Sequence, residues 1–162
     1  MKISIVKAQQ EHMEAIRRIC AEGWRQTVQG KYSEAYKREN INYWYNKERV
    51  SKDIAQGIYT HVALVNDSVV GTIGGVVNDQ GESEIYVFYV DERHRYQGIG
   101  RKLLDVFTEK HISEGAKEQY ASVEEENTLG IPFYESRGFK QLSTNARFWR
   151  KLKKDPFFSD KY

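Results

Sequence analysis

The sequence is poor in several things, and each shortage excludes something. It has one cysteine, Cys20, so no internal disulfide and no cysteine-rich metal site can form, which suits a reducing compartment. Twenty-five basic residues against twenty-three acidic ones leave a formal charge of +2, without the basic excess that marks a nucleic-acid-binding domain. No apolar run reaches membrane-spanning length, and the N-terminus lacks a signal-peptide core. There are no internal repeats or low-complexity tracts, no histidines at metal-ligand spacing, and no Ser/His/Asp set or positioned cysteine nucleophile. Together these point to a cytoplasmic protein with no nucleic-acid, membrane or metal partner. At 162 residues and 19.0 kDa, one domain spanning residues 1–162 is expected.

What the chain does have is concentrated between Glu84 and Lys110. Ile85 to Val90 is a β-branched and aromatic run with the composition of a buried strand. Ile99, Leu103, Val106 and Phe107 repeat at three and four, the apolar face of a helix. Between them lies Arg95-Tyr96-Gln97-Gly98-Ile99-Gly100. A glycine-bearing turn that opens a helix presents unpaired N–H groups at the positive end of the helix dipole, where a phosphate can bind. The turn is neither a Walker loop nor a G-x-G-x-x-G fingerprint. Taken alone, it reads equally well as a tight strand-to-helix connection.

The surrounding pattern decides between these. Arg/Gln-x-x-Gly-x-Gly/Ala after a strand resembles the acetyl-CoA pyrophosphate loop of the GCN5-related N-acetyltransferase (GNAT) superfamily. Downstream, Asn127, Phe133, Tyr134, Glu135, Gly138 and Phe139 match the family's Asn-x-x-Ala-x-x-Phe-Tyr-Glu-x-x-Gly-Phe segment, with Gly130 where alanine is usual. The resemblance is strong over residues 59–141 and holds only in outline over 1–58. It implies an α/β (α+β) fold with a mixed, mostly antiparallel central sheet of about six to seven strands and helices on both faces.

The remaining chain fits that outline. Met1 to Val6 reads as a first strand, Gln9 to Trp24 as a helix burying Met13, Ile16, Ile19 and Cys20, and Ser33 to Gln56 as a second helical region. Tyr59–Val65 and Ser68–Val77 form a hairpin across Asn66-Asp67, and Gly74-Gly75 suggests a bulge or a close backbone approach. A strand over Gln119–Glu124 precedes a helix that Pro132 forces to start near Leu129 or Gly130. Phe139–Leu142 and Ala146–Leu152 close the sheet, and Phe157 and Phe158 in the tail can pack on the domain or on a partner subunit.

Transfer of an acetyl group from acetyl-CoA to an amine needs a deprotonated amine, donors for the oxyanion and an acid for the leaving thiolate. The resemblance assigns pantetheine to the backbone around Phe88 and Val90, with the N–H of Val90 as oxyanion donor. The same resemblance gives the pyrophosphate to Arg95, Tyr96, Gln97, Gly98, Ile99 and Gly100 with Arg101 at the edge, and Asn127 to the pantetheine arm. Tyr134 stands as the general acid, the alternative being a buried tyrosine with a satisfied hydroxyl. Glu84, fourteen residues before Gly98 as in the histone-acetylating branch, is either the general base or a surface residue at a strand end. Glu82 and a water chain ending at His61 are the reserves. Glu124, Glu125 and Glu126 are a solvated strand end or an attraction for cationic acceptors. His94 and His111 are expected on the solvent-exposed surface. Trp24 and Tyr36, among the aromatics from Trp24 to Tyr45, can form a cage for a cationic amine or simply pack.

The expected activity is therefore direct acetyl transfer from acetyl-CoA to a small-molecule or protein amine in a ternary complex. The alternative is an inactive acyl-CoA sensor of the same fold. Homodimers are common in the family, and the sequence leaves that point open.

Overall fold

The computed structural model describes residues 2–123, 130–142 and 147–153. Seven strands join in one sheet in the order β1-β2-β3-β4-β5-β7-β6. They are β1 (Ile3–Lys7), β2 (Tyr59–Val65), β3 (Ser68–Val77), β4 (Glu82–Val90), β5 (Glu118–Ser122), β6 (Lys140–Gln141) and β7 (Arg147–Lys151). The helices are α1 (Met13–Thr27), α2 (Glu34–Tyr45), α3 (Lys47–Ala55), α4 (Ile99–Ser113) and α5 (Gly130–Ser136). The mostly antiparallel mixed sheet with helices is the expected architecture, and β4 pairs with β5 in parallel. Residues Met1–Gly74 and Val87–Phe107 form one compact unit, and Gly75–Tyr86 with Thr108–Tyr162 form another.

In the first unit, α1 buries Ile16, Ile19, Cys20 and Gly23 at helical spacing. Ile16 and Cys20 join Ala8, Val50, Ile54, Tyr59, Val62 and Val87 in one apolar cluster. Gly23 is there for contact: a Cβ at this position would run into the ring of Tyr89 on β4. The helix runs three residues past Trp24, to Thr27. The second helical region divides at Asn46, whose side chain accepts from the N–H of Arg49 at 2.8 Å and so caps α3. Ser33 caps α2 in the same way through the N–H of Tyr36. The hairpin turns on Asn66 and Asp67, both at positive φ as a two-residue type I′ connection requires. Cys20 is fully buried and burial pushes its thiol up to about 12, so it is a packing residue rather than a nucleophile.

In the second unit, residues Glu82–Ile85 of β4 pair in parallel with Glu118–Ala121, and β5 pairs antiparallel with β7. The strand β4 thus starts at Glu82, two residues before Glu84. Among the described residues helix α5 spans Gly130–Ser136 and contains Pro132. Tyr134 on α5 packs edge-on to Phe133 and Phe139 at centroid distances of 5.6 and 5.0 Å, and stacks on Phe148 of β7 at 6.5 Å.

The same unit corrects one expectation. His111 is not on the surface: it is 1% exposed, and its Nδ1 lies 2.6 Å from the Ser83 hydroxyl. Ser83 also accepts from the Gln119 amide at 3.2 Å, and that amide donates to Thr108 at 3.0 Å. Arg150 donates to Gln119 at 2.9 Å and to the carbonyl of Arg137 at 2.9 Å. His111, Ser83, Gln119 and Thr108 thus all gain partners, which offsets the penalty of taking them out of water. His94 is half-buried, and its Nδ1 has no hydrogen-bond partner among the described residues.

Candidate active site

The turn between β4 and α4 offers backbone donors that could hold an anion. Tyr96 and Gly98 both take positive φ, 65° and 80°, and the residue between them does not. Alternation of this kind folds successive N–H groups into a concave nest. The first α4 bond runs from the N–H of Lys102 to the carbonyl of Gly98 at 3.1 Å, so the N–H groups of Ile99, Gly100 and Arg101 lie ahead of the helical ladder. Beside Gly98 there is open space: an added Cβ would meet nothing nearer than the end of the Arg101 side chain at 3.7 Å. Ile99 is buried and anchors the helix start, whereas Tyr96 is 90% exposed and Gln97 is exposed too. Arg95 donates to the Gln26 side chain at 2.7 Å, and Gln26 in turn donates to Glu92 at 2.9 Å. The donor set and the open cradle fit a diphosphate.

The approach to this turn is held by Asp91. Its carboxylate accepts from the N–H of Arg93 at 3.0 Å and from the Arg93 guanidinium at 3.2 and 3.0 Å, with Arg18 at 3.6 Å. The Arg93 side chain, more than any other cause, holds the Asp91 carboxyl at about 2, well below the usual carboxylate range. A depressed acid stabilises the fold above its unfolded value and loses that contribution as pH falls through the folded one. The Asp91 side chain is 4% exposed but that of Arg93 is 74% exposed, so solvent screening reduces the effect. Asp91→Asn is accordingly expected to cost roughly 1 kcal/mol at pH 7. In urea unfolding curves its gap to the wild type should narrow between about pH 4 and pH 2. An equal gap at both ends would rule the ion pair out as the cause.

Along β4, Glu82, Glu84 and Tyr86 share one face, opposite Ser83 and Ile85. This face borders a cavity of about 290 Å³ within the second unit, lined by Val76, Asn78, Glu82, Glu84, Tyr86, Tyr120 and Arg147. Glu84 accepts from both terminal nitrogens of Arg147, at 2.7 and 2.6 Å. Arg147 also lies over the Tyr120 ring at 4.9 Å and donates to Ser122 at 3.2 Å. The bond to Glu84, and then its charge, keep the guanidinium's pKa raised. Glu82 accepts from the Asn78 amide at 2.7 Å. Burial, then the charges of Glu118 and Glu82, raises the Tyr120 phenol, which stays protonated.

Phe88 and Val90 are half-buried on β4, beyond the Glu82–Ile85 ladder to β5. Trp24 stacks on Tyr32 at 6.3 Å, and Tyr32 meets Tyr36 at 4.6 Å. The other aromatics go elsewhere: Tyr43 and Trp44 flank the Arg49 guanidinium at 5.6 and 4.7 Å, and Tyr45 packs on the apolar cluster. The structure thus brings Trp24, Tyr32 and Tyr36 together in one group and places Tyr43 and Trp44 around Arg49 in another. Asn127 and Glu124 to Glu126 lie outside the described residues, as do Phe157 and Phe158.

Tyr86, Tyr120, Asn78 and Arg147 were not singled out by sequence. Tyr86 carried a usable signal, since it continues the alternation of Glu82 and Glu84. Arg147 carried none, because 63 residues separate it from Glu84.

Comparison with known proteins bears on the family and the fold. Residues 14–139 match the family model described as Acetyltransferase (GNAT) family. A spermidine N(1)-acetyltransferase of Thermoplasma acidophilum is 27% identical over 151 residues, covering 90% of this chain and 93% of that protein. The crystal structure of PaiA N-acetyltransferase from Thermoplasma acidophilum in complex with coenzyme A superposes with a TM-score of 0.86 at 25% identity, covering 94% of this chain and all of that one. A Staphylococcus aureus Mu50 acetyltransferase of the GNAT family has the same fold, with a TM-score of 0.73 at 21% identity, covering 94% of this chain and 100% of that one. The chain belongs to the acetyltransferase (GNAT) family.

Proposed function

We propose that the protein transfers an acetyl group from acetyl-CoA to a primary amine of a cationic, polyamine-like acceptor. The observation that carries the acceptor class is the cavity walled by Glu82, Glu84, Tyr86 and Tyr120. Carboxylates and aromatic faces attract ammonium groups, while the guanidinium in the lining, Arg147, is itself paired with Glu84. The similarity to a spermidine acetyltransferase points the same way. For the donor, the nest at Tyr96 and Gly98 and the open N-terminus of α4 support diphosphate binding by Arg95 to Gly100.

In this reading the acceptor nitrogen attacks the thioester carbon, a C–N bond forms and the C–S bond breaks. The amine gives up a proton to Glu84, directly or through water. The phenol of Tyr134 donates one to the departing sulfur. The backbone of Phe88 and Val90 aligns the thioester, with the Val90 N–H facing the developing oxyanion. Asn127 holds the pantetheine arm.

A second reading, an acyl-CoA sensor without turnover, is favoured by one observation: both Glu84 oxygens are engaged by Arg147. A thiol-release assay separates the two. With acetyl-CoA present, spermidine is expected to release thiol faster than glutamate or an aminoglycoside. If acetyl-CoA raises the melting temperature but no amine releases thiol above background, the sensor reading holds. If acetyl-CoA neither binds nor reacts, both readings fail.

A further inference from the structure

We propose that Arg147 is an internal cation that holds the acceptor's place in the Glu82/Glu84 cavity, and that a polycationic acceptor binds by displacing it. This rests on the amine-acetyltransferase reading for its biological setting, but the test below uses no turnover.

The guanidinium has the surroundings an ammonium ligand would need. It donates two charge-assisted bonds to Glu84 at 2.6 and 2.7 Å and lies over the aromatic face of Tyr120 at 4.9 Å. These are the interactions that stabilise a desolvated cation. The site is not sealed: the Arg147 side chain is 36% exposed, so it can leave for water while its backbone stays in β7.

Its presence also sets the charge that a ligand meets. With Arg147 on Glu84, the lining carries one net negative charge, that of Glu82, whose bond from Asn78 comes from a neutral amide. A monoamine can then pair with Glu82 and leave the arginine in place. A ligand with two or more ammonium groups gains the second carboxylate only by removing Arg147, so its affinity includes the cost of breaking a bidentate ion pair. Arg147 is thereby a specificity-determining residue: it weakens polycation binding and keeps Glu84 engaged until such a ligand arrives. Lysine at this position would keep the charge but lose the two-pronged hold.

The test is calorimetric titration of the full-length protein with spermidine, without acetyl donor, at low salt. Arg147→Gln is expected to bind spermidine about tenfold more tightly than wild type, and Arg147→Lys about threefold, because the competing cation is removed or loosened. Glu82→Gln is expected to bind it about tenfold more weakly. Propylamine affinity should change less than twofold in Arg147→Gln. Spermidine binding that is unchanged or weaker in Arg147→Gln, with an unaltered circular dichroism spectrum, overturns the proposal. If that variant does not fold, unchanged binding by Arg147→Lys does so instead. Undetectable binding in wild type and both arginine variants also overturns it, and so does glutamate binding that is lost with Arg147, which would make the arginine a carboxylate receptor. Tighter binding without any acetylation would leave this inference standing and remove the enzyme reading. Acetylation of spermidine with no effect at Arg147 would do the reverse.

Discussion

Tyr134→Phe is expected to lower kcat by about a hundredfold or more, the range in which a positioned acid contributes, while the dissociation constant of CoA stays within about twofold of wild type. The substitution isolates the hydroxyl. The ring of Tyr134 is clamped by Phe133, Phe139 and Phe148, and a phenylalanine keeps all three contacts. Stability should therefore fall by no more than about 1 kcal/mol, the net worth of one hydrogen bond. A proton needed only as the C–S bond breaks acts on the transition state and not on ground-state binding. Hence kcat and kcat/KM for the amine should fall together. Steady-state kinetics with spermidine at saturating acetyl-CoA, paired with CoA titration, reads both quantities. An unchanged kcat would reduce Tyr134 to a packing residue of α5.

The fold was readable wherever local chemistry fixes backbone geometry. Asn66-Asp67 announces a two-residue hairpin because these residues tolerate positive φ, and both adopt it. Asn46 is a signal of the same kind: asparagine favours the cap position, and here it divides α2 from α3. The burial of His111 also has a local signal. His111 follows Leu103 and Phe107 at intervals of four, on the buried stripe of α4, and polarity alone argued for the surface. Its partner Ser83 lies on another element, so nothing local marked the pair as satisfied.

The candidate site divides along the same line. The phosphate turn is a contiguous stretch, and its residues are legible in order. The cavity is not contiguous. Glu84 faces Tyr120 through parallel register, and Arg147 reaches it from β7. Such juxtapositions depend on the order of strands in the sheet, which one sequence does not specify residue by residue. That is why Glu84 read as a bare carboxylate, when in the folded chain it holds a guanidinium.

Gly98→Val should raise the dissociation constant of acetyl-CoA by about tenfold to a hundredfold, since a β-branched residue is driven out of the left-handed region at a cost of roughly 1–2 kcal/mol and the nest is lost with it. Gly98 sits at φ 80°, and its carbonyl accepts the first α4 bond, from Lys102 at 3.1 Å. Moving this residue to negative φ therefore redirects the N–H groups of Ile99 and Gly100 away from one another. Space is not the difficulty, because a Cβ would meet only the flexible end of Arg101. Gly98→Asn tests that distinction, since asparagine adopts positive φ far more readily. It should retain most of the affinity despite its larger side chain. Both variants keep the buried anchor Ile99 and its neighbours Leu103 and Phe107, so α4 should stay docked and the melting temperature without ligand should move by only a few degrees. The separation appears in the ligand-induced shift, which follows the logarithm of ligand concentration over its dissociation constant. Acetyl-CoA should stabilise wild type and Gly98→Asn alike and Gly98→Val much less. Equal stabilisation of all three would mean that the backbone of this turn does not hold the diphosphate.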